Sequence, residues 1–249
     1  MTEASERPPY AWILFDLDGT LFDYEHAELV ALDETFRSLG LEPSDELVER
    51  YRRINGSLWR DYEQRAVSQA ELRVERFLRF LLETSVPASA HKVAELYQDR
   101  LGRQTRFLPG AEQLLDELDG SHRLALITNG IASVQRPRLA LSGLDRRFEV
   151  VVISEEVGAA KPAPEIFDAA FAAMEQPAKD DVLMVGDSLS SDIDGAAAYG
   201  LDTCWFNPAG RPAATENATA ITYTIDSLDQ LAPIAGTRAC AEPIDPGAR

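Results

Sequence analysis

Asp16 and Asp18 stand two residues apart in Phe15-Asp16-Leu17-Asp18-Gly19-Thr20, directly behind the apolar run 12–15. Two carboxylates this close repel, so a cation is expected beside them. Polar groups follow short apolar runs three more times: Thr128-Asn129-Gly130 after 124–127, Ser154-Glu155-Glu156 after 150–153, and Gly186-Asp187-Ser188 after 182–185, with Asp192 close behind. Lys161, in Ala160-Lys161-Pro162, is the one obvious counter-charge. Several carboxylates, a lysine and a hydroxyl beside small-residue turns suit Mg²⁺ and a phosphoryl group. Hard oxygen ligands hold Mg²⁺, Thr128 and the amides after it can bind phosphate oxygens, and Lys161 offsets their charge.

These groups can meet only if the apolar runs are strands of one parallel sheet. Right-handed crossovers then put the strand ends on a single rim, where ligands of such sheets bind. Strands are expected at 10–15, 124–127, 150–153, 182–185 and 203–206, with one more at 221–224 and a short helix at 228–231. Amphipathic helices alternate with them, at 114–118, 134–141, 165–174 and 192–199. From about residue 25 to 106 no strand pattern occurs. Leu29, Leu32, Phe36 and Leu39, and later Leu72, Phe77, Phe80 and Leu81, recur at helical spacing, with breaks at Gly40, Pro43 and Pro87. The expected fold class is therefore α/β, a Rossmann-like parallel sheet core (10–22 and 107–235) with an inserted helical cap subdomain (23–106). Residues 1–9 and 236–249 read as disordered tails.

Composition narrows the partners. The 249 residues carry 24 basic and 42 acidic side chains, a formal net charge of −18. That balance repels nucleic acid polymers and anionic membrane surfaces, so phosphate binding has to be local. No apolar run approaches the roughly 20 residues that span a bilayer, and the first ten residues lack an apolar signal core. Two cysteines, Cys204 and Cys240, are too few for a disulfide framework or a thiolate metal cage. The expectation is a cytoplasmic protein acting on a small molecule.

Taken together, Asp16-Leu17-Asp18-Gly19-Thr20, Thr128-Asn129, Lys161-Pro162 and Gly186-Asp187-Ser188 with Asp192 resemble the four ordered motifs of the haloacid dehalogenase-like hydrolases. The resemblance covers nearly the whole chain, and the insertion between the first two motifs looks like that superfamily's first class of helical cap. It implies Asp16 as a nucleophile forming an aspartyl-phosphate, and Asp18 as the acid and then the base. It further implies Mg²⁺ held by Asp16, Asp187 and the main-chain carbonyl of Asp18, with Asp192 ligating through water or holding Lys161. Thr128, Asn129 and Lys161 would bind the phosphoryl group. Dehalogenases lack the second aspartate, so Asp18 turns the expectation to phosphate monoesters. The segments Leu58-Trp59-Arg60-Asp61-Tyr62, 127–130 and 152–158 are similar to the branch of 5′-nucleotidases acting on pyrimidine and non-standard nucleoside monophosphates. Phosphoglycolate and other small-metabolite phosphatases are the alternative.

Each feature also has a plainer reading. Asp16 and Asp18 could cap a turn, Asp187 and Asp192 could cap a helix, and Glu155 and Glu156 read as loop surface. Phe22, Trp59 and Tyr62 could stack on a base, although packing is the favoured reading, with Trp59 and Tyr62 in the cap core. The histidines, His26, His91 and His122, lack metal-ligand spacing, and Cys204 sits in an apolar run that favours packing. A receiver-like phospho-acceptor module shares an acidic cluster, a Thr and a Lys, but lacks the long insertion. No Walker or dinucleotide glycine loop is present.

Overall fold

The computed structural model describes residues 10–213 and 220–236. The tail expectations for 1–9 and 237–249, and Cys240, lie outside the described residues. Six strands form one sheet in the order β3-β2-β1-β4-β5-β6. They are β1 (Trp12–Phe15), β2 (Arg123–Thr128), β3 (Val150–Ile153), β4 (Val182–Gly186), β5 (Asp202–Phe206) and β6 (Tyr223–Ile225). Every neighbouring pair is parallel, with Phe15 opposite Leu126 on one side and Val185 on the other. The last strand begins two residues later than its expected 221, and Gly236 closes a helix rather than opening a tail.

Alternation along the strands explains why both sheet faces are covered. Ile13, Phe15, Leu124, Leu126, Leu183 and Val185 point into one apolar cluster, which α5 (Ala111–Leu118) seals with Leu114, Leu115 and Leu118. Trp12, Leu14, Ala125, Ile127, Val182 and Met184 point into the other, against Ile166, Phe167 and Phe171. A strand buried on both faces must be apolar throughout, which is why 12–15 contains no polar residue until it leaves the sheet.

Between β1 and α5 the chain forms four helices: α1 (Tyr24–Ser38), α2 (Asp45–Glu63), α3 (Gln69–Thr84) and α4 (Ala90–Leu101). Local signals start them. Ser44 accepts from Leu47 N at α2, and Ser68 with Glu71 forms a capping box at α3. Their apolar stripes close on one another around Leu32, Phe36, Tyr51, Leu58, Phe77, Phe80 and Tyr97, and the Phe36 and Phe80 rings stack at 5.0 Å. Ile131 and Val134, which belong to the α/β part, join the same cluster and seat the four helices above the sheet rim. Leu29, expected in the stripe, is instead 42% exposed.

After β2 come α6 (Ala132–Ser142), then α7 (Ser154–Val157) and α8 (Pro164–Ala173) beyond β3, α9 (Asp194–Tyr199) after β4, and α10 (Leu231–Gly236) at the end. Asp192 was expected in the first turn of the helix after β4. It sits instead in a π-helical turn, Leu189–Ile193, that precedes α9. No helix among the described residues is long and apolar enough to cross a membrane.

Candidate active site

The central strands β1 and β4 lie where the connections diverge to opposite sides of the sheet, the place where open α/β sheets bind ligands. Their ends carry Asp16 and Asp187. Asp16 N donates to Val185 O at 2.9 Å, continuing the pairing one residue past β1 and fixing where its carboxylate starts. The chain then turns at Gly19, whose φ is +90°. A Cβ there would come 2.8 Å from the Asp187 carboxyl carbon, so glycine satisfies both the backbone and the close approach. The Trp205 indole N–H donates to the Asp187 main-chain oxygen at 3.0 Å and holds that loop from β5.

Lys161 ties the loops together. Its Nζ donates to Asp16 Oδ1 at 2.6 Å and to Ile127 O at 2.9 Å, and lies 2.8 Å from Asp192 Oδ1. These three partners match the three protons of an ammonium. Asp192 thus grips Lys161 directly, and its other oxygen accepts from Ser188 N at 3.0 Å. The Asn129 side chain clamps the Lys161 main chain from both sides, accepting from its N and donating to its O, each at 2.8 Å. One Nδ2 proton is so engaged, and the main-chain N–H of Asn129 is a further donor for a phosphate.

Asp18 lies apart from this knot, because β1 ends at Phe15 and the two aspartates do not continue as strand. Its Oδ1 accepts from Arg138 Nη1 at 2.6 Å and its Oδ2 from Gln135 Nε2 at 2.7 Å. The same Gln135 amide reaches Thr128 Oγ1 at 3.2 Å, and Gly130 N also donates to that oxygen. Thr128 Oγ1 therefore accepts twice, leaving its own proton for another acceptor. Gln135 and Arg138 were not among the sequence candidates. Their signal was present, since Val134, Gln135, Arg138 and Leu139 fall on the buried face of α6.

The electrostatics call for a further cation. Burial pushes the Asp16 carboxyl up; Lys161 pulls the other way, while Asp192 and Asp187 push it further. Burial also raises Asp187, with Asp192 adding to it and Arg211 opposing. Lys161 is held above its ordinary value, because Asp16 and Asp192 outweigh the opposing effect of burial. One oxygen each of Asp16, Asp187 and Asp192 lies within 4.8 Å of the others. Three clustered carboxylates against one ammonium make a donor set that fits a hard divalent ion.

Asp16, Asp18, Thr128, Asn129, Gln135, Lys161, Asp187 and Asp192 open onto one cavity of about 270 Å³, whose far wall comes from α2, α3 and α4. Since one water needs only about 10–15 Å³ by such a measure, the space is of substrate size. Trp59 lines it, while also packing edge-on against Tyr62 at 5.6 Å. Glu63, at the end of α2, lines it too, and burial raises its carboxyl, with Asp192 adding to the effect. One expectation is corrected. Phe22 is fully buried beneath Arg138, whose guanidinium carbon lies 4.6 Å from its ring centre, so it has no face for a base. Glu156 is at the surface as expected and Glu155 is half-buried, both on α7 rather than in a loop. Glu155 pairs with Arg73 of α3 and accepts from Ala132 N, and Glu156 pairs with Arg136. None of the three histidines lines this cavity, and Cys204 is buried in the core, its thiol pushed up to about 12 by burial.

A family model described as haloacid dehalogenase-like hydrolase matches residues 10–200. The pyrimidine 5′-nucleotidase YjjG of Escherichia coli is 36% identical over 220 residues, covering 88% of this chain and 95% of that protein. The pyrimidine 5′-nucleotidase PynA of Streptococcus pneumoniae is 37% identical over 200 residues, covering 80% and 84%. Among solved structures, that of the hydrolase YfnB from Bacillus subtilis bound to magnesium aligns with a TM-score of 0.85 at 33% identity, over 91% of this chain and 99% of the other.

Proposed function

The chain belongs to the haloacid dehalogenase-like hydrolases, and from that premise we propose that it is a Mg²⁺-dependent 5′-nucleotidase of the cytoplasm, hydrolysing pyrimidine or non-standard nucleoside monophosphates. The observation that carries this reading is the convergence of Asp16, Asp18, Thr128, Lys161 and Asp187 on one cavity beneath a helical wall. Residues 23–106 form the cap in this reading, and 10–22 with 107–235 the core. The two nucleotidase relatives, each at more than a third identity over most of their length, favour the nucleotide over other monoesters.

Asp16 attacks phosphorus in line with the ester oxygen, forming an Asp16–phosphorus bond as the phosphorus–ester bond breaks. Its carboxylate is held for this by Lys161 at 2.6 Å and by the Thr20 hydroxyl at 3.2 Å. Asp18 gives its proton to the departing alkoxide. It then takes one from a water that attacks the phosphorus, releasing phosphate and restoring Asp16. Such acid–base work contributes roughly 10²–10⁴-fold. Thr128 donates to a phosphoryl oxygen, the Asn129 main-chain N–H to another, and Lys161 balances their charge. Asp16, Asp187 and the Asp18 main-chain carbonyl would hold Mg²⁺, which would supply charge stabilisation at the phosphoryl oxygens.

The test is a phosphatase screen in one Mg²⁺ buffer with UMP, dUMP, dTMP, 2-phosphoglycolate and sugar phosphates. The reading expects the highest kcat/KM among the pyrimidine nucleotides. Preference for phosphoglycolate or a sugar phosphate would remove the nucleotidase assignment and leave the phosphatase chemistry standing.

A further inference from the structure

Helix α3 buries Leu72, Arg76, Phe77, Phe80 and Leu81 on one face, so a guanidinium occupies a position one turn from both Leu72 and Phe80 where an apolar side chain is expected. Arg76 is 2% exposed. Its guanidinium carbon sits 5.3 Å from the Phe77 ring centre and 5.0 Å from that of Tyr97. Nη1 donates to Asn55 Oδ1 at 3.3 Å and Nε to the Arg73 carbonyl at 3.4 Å, while Nη2 is buried with no hydrogen-bond partner. The Tyr51 and Tyr97 hydroxyls feel the guanidinium charge, and Tyr51 lies within reach of Arg76, but neither makes a well-formed hydrogen bond to Nη2. Glu28, the carboxylate whose charge reaches Arg76, is engaged by Arg52 at 2.7 Å. Among the described residues, Arg76 makes no ion pair.

A buried cation without an ion-pair partner is costly to desolvate, its two hydrogen bonds and the Phe77 and Tyr97 rings offset that only in part, and an apolar replacement would relieve it. What distinguishes this position is that Arg76 and Asn55 both line the cavity that holds Asp16, Asp18 and Thr128. Because Asn55 Oδ1 faces the guanidinium, its Nδ2 is left as a donor. The cap thus offers two donors side by side and no acceptor from this pair. Around them, Trp59, Leu101 and Val134 form flat or apolar walls.

We propose that Arg76 and Asn55 form the leaving-group subsite, taking a ring carbonyl oxygen of the pyrimidine base while the phosphoryl group lies at Asp16. The proposal rests on the nucleotidase reading and adds the residues that select the base. A planar ring with a neutral carbonyl can enter between apolar walls with little desolvation. A second phosphate would bring two charges against a single guanidinium, and adenine carries no carbonyl to offer.

The test compares kcat/KM for UMP with that for ribose 5-phosphate, which shares the ester but lacks the base, in wild type, Arg76→Met and Asn55→Asp. A charge-assisted hydrogen bond lost at the base lowers the UMP to ribose 5-phosphate ratio by about ten- to hundredfold. Arg76→Met is expected to fold, with a melting temperature equal to or above wild type, since it removes a buried charge. Asn55→Asp pairs the guanidinium inside the protein and turns a carboxylate toward the carbonyl, so the ratio falls again in a chain whose charge is satisfied. If Arg76→Met does not fold, the Asn55→Asp ratio decides alone. A wild-type preference for UMP that survives in these variants would overturn the subsite and leave the nucleotidase reading intact. No preference for UMP in the wild type, with turnover of other monoesters, would overturn both.

Discussion

Arg138 Nη1 lies 2.6 Å from Asp18 Oδ1, and the arginine side chain is fully buried while the aspartate retains 22% exposure. The contact runs from the buried face of α6 to the loop behind β1. With Gln135 on the other oxygen, each Asp18 oxygen makes one contact to α6 and keeps a second lone pair for a proton. Arg138 is anchored in turn, with Nε donating to the Gln104 carbonyl at 2.7 Å and its guanidinium over Phe22. The proposed proton carrier is therefore positioned by a cation that itself cannot move far.

Arg138→Met is expected to lower kcat by about ten- to hundredfold, less than the roughly 10²–10⁴-fold expected for Asp18→Asn. The double variant should be no slower than Asp18→Asn alone, because residues acting through one group are not additive. Steady-state kinetics of the four proteins check this. Additive losses would place Arg138 outside the proton-transfer machinery.

Gly19→Ala is expected to cost about 1–2 kcal/mol from the left-handed backbone, a fall of about 2–8 °C in Tm for a chain of this size. The added methyl would also press on the Asp187 carboxylate, 2.8 Å away in the unrelaxed geometry. The concentration of Mg²⁺ giving half-maximal activity should rise accordingly. An unchanged Mg²⁺ titration would show that Asp187 does not depend on this approach.

How much of this was legible in sequence follows from where each residue sits. Asp16, Thr128 and Asp187 end apolar runs, and an apolar run that stops abruptly is visible without coordinates. Lys161 is not in such a place. It reads as the counter-charge to the carboxylates and as one of the ordered motifs, and only the structure brings it within 2.8 Å of Asp192. Arg138, Gln135 and Arg76 were missed for a common reason: charged and polar residues on a helix read as solvated faces unless the stripe is counted position by position. In α3 that count puts Arg76 between Leu72 and Phe80, on the buried side. Phe22 illustrates the converse, since an aromatic ring that could stack on a base packs inward against Phe107 at 5.1 Å.

Lys161→Met should be strongly destabilising in the absence of metal, by about 3–5 kcal/mol, because Asp16 and Asp192 would then be buried without their shared cation. Millimolar Mg²⁺ should recover part of that loss by binding the folded carboxylate cluster. Denaturant midpoints with Mg²⁺ and with chelator measure both effects. A variant as stable as wild type under chelation would mean that the lysine is not the main counter-charge of this cluster.

The central claim is that Asp16 carries the phosphoryl group. Its most direct test is rapid acid quench of the enzyme turning over UMP with Mg²⁺, followed by mass measurement of the protein and its peptides. A transient added mass of one phosphoryl group on the peptide containing Asp16, absent in Asp16→Asn, which also releases no phosphate, is the expected result. Full turnover by Asp16→Asn, or the phosphoryl group appearing on a different residue, would contradict the account.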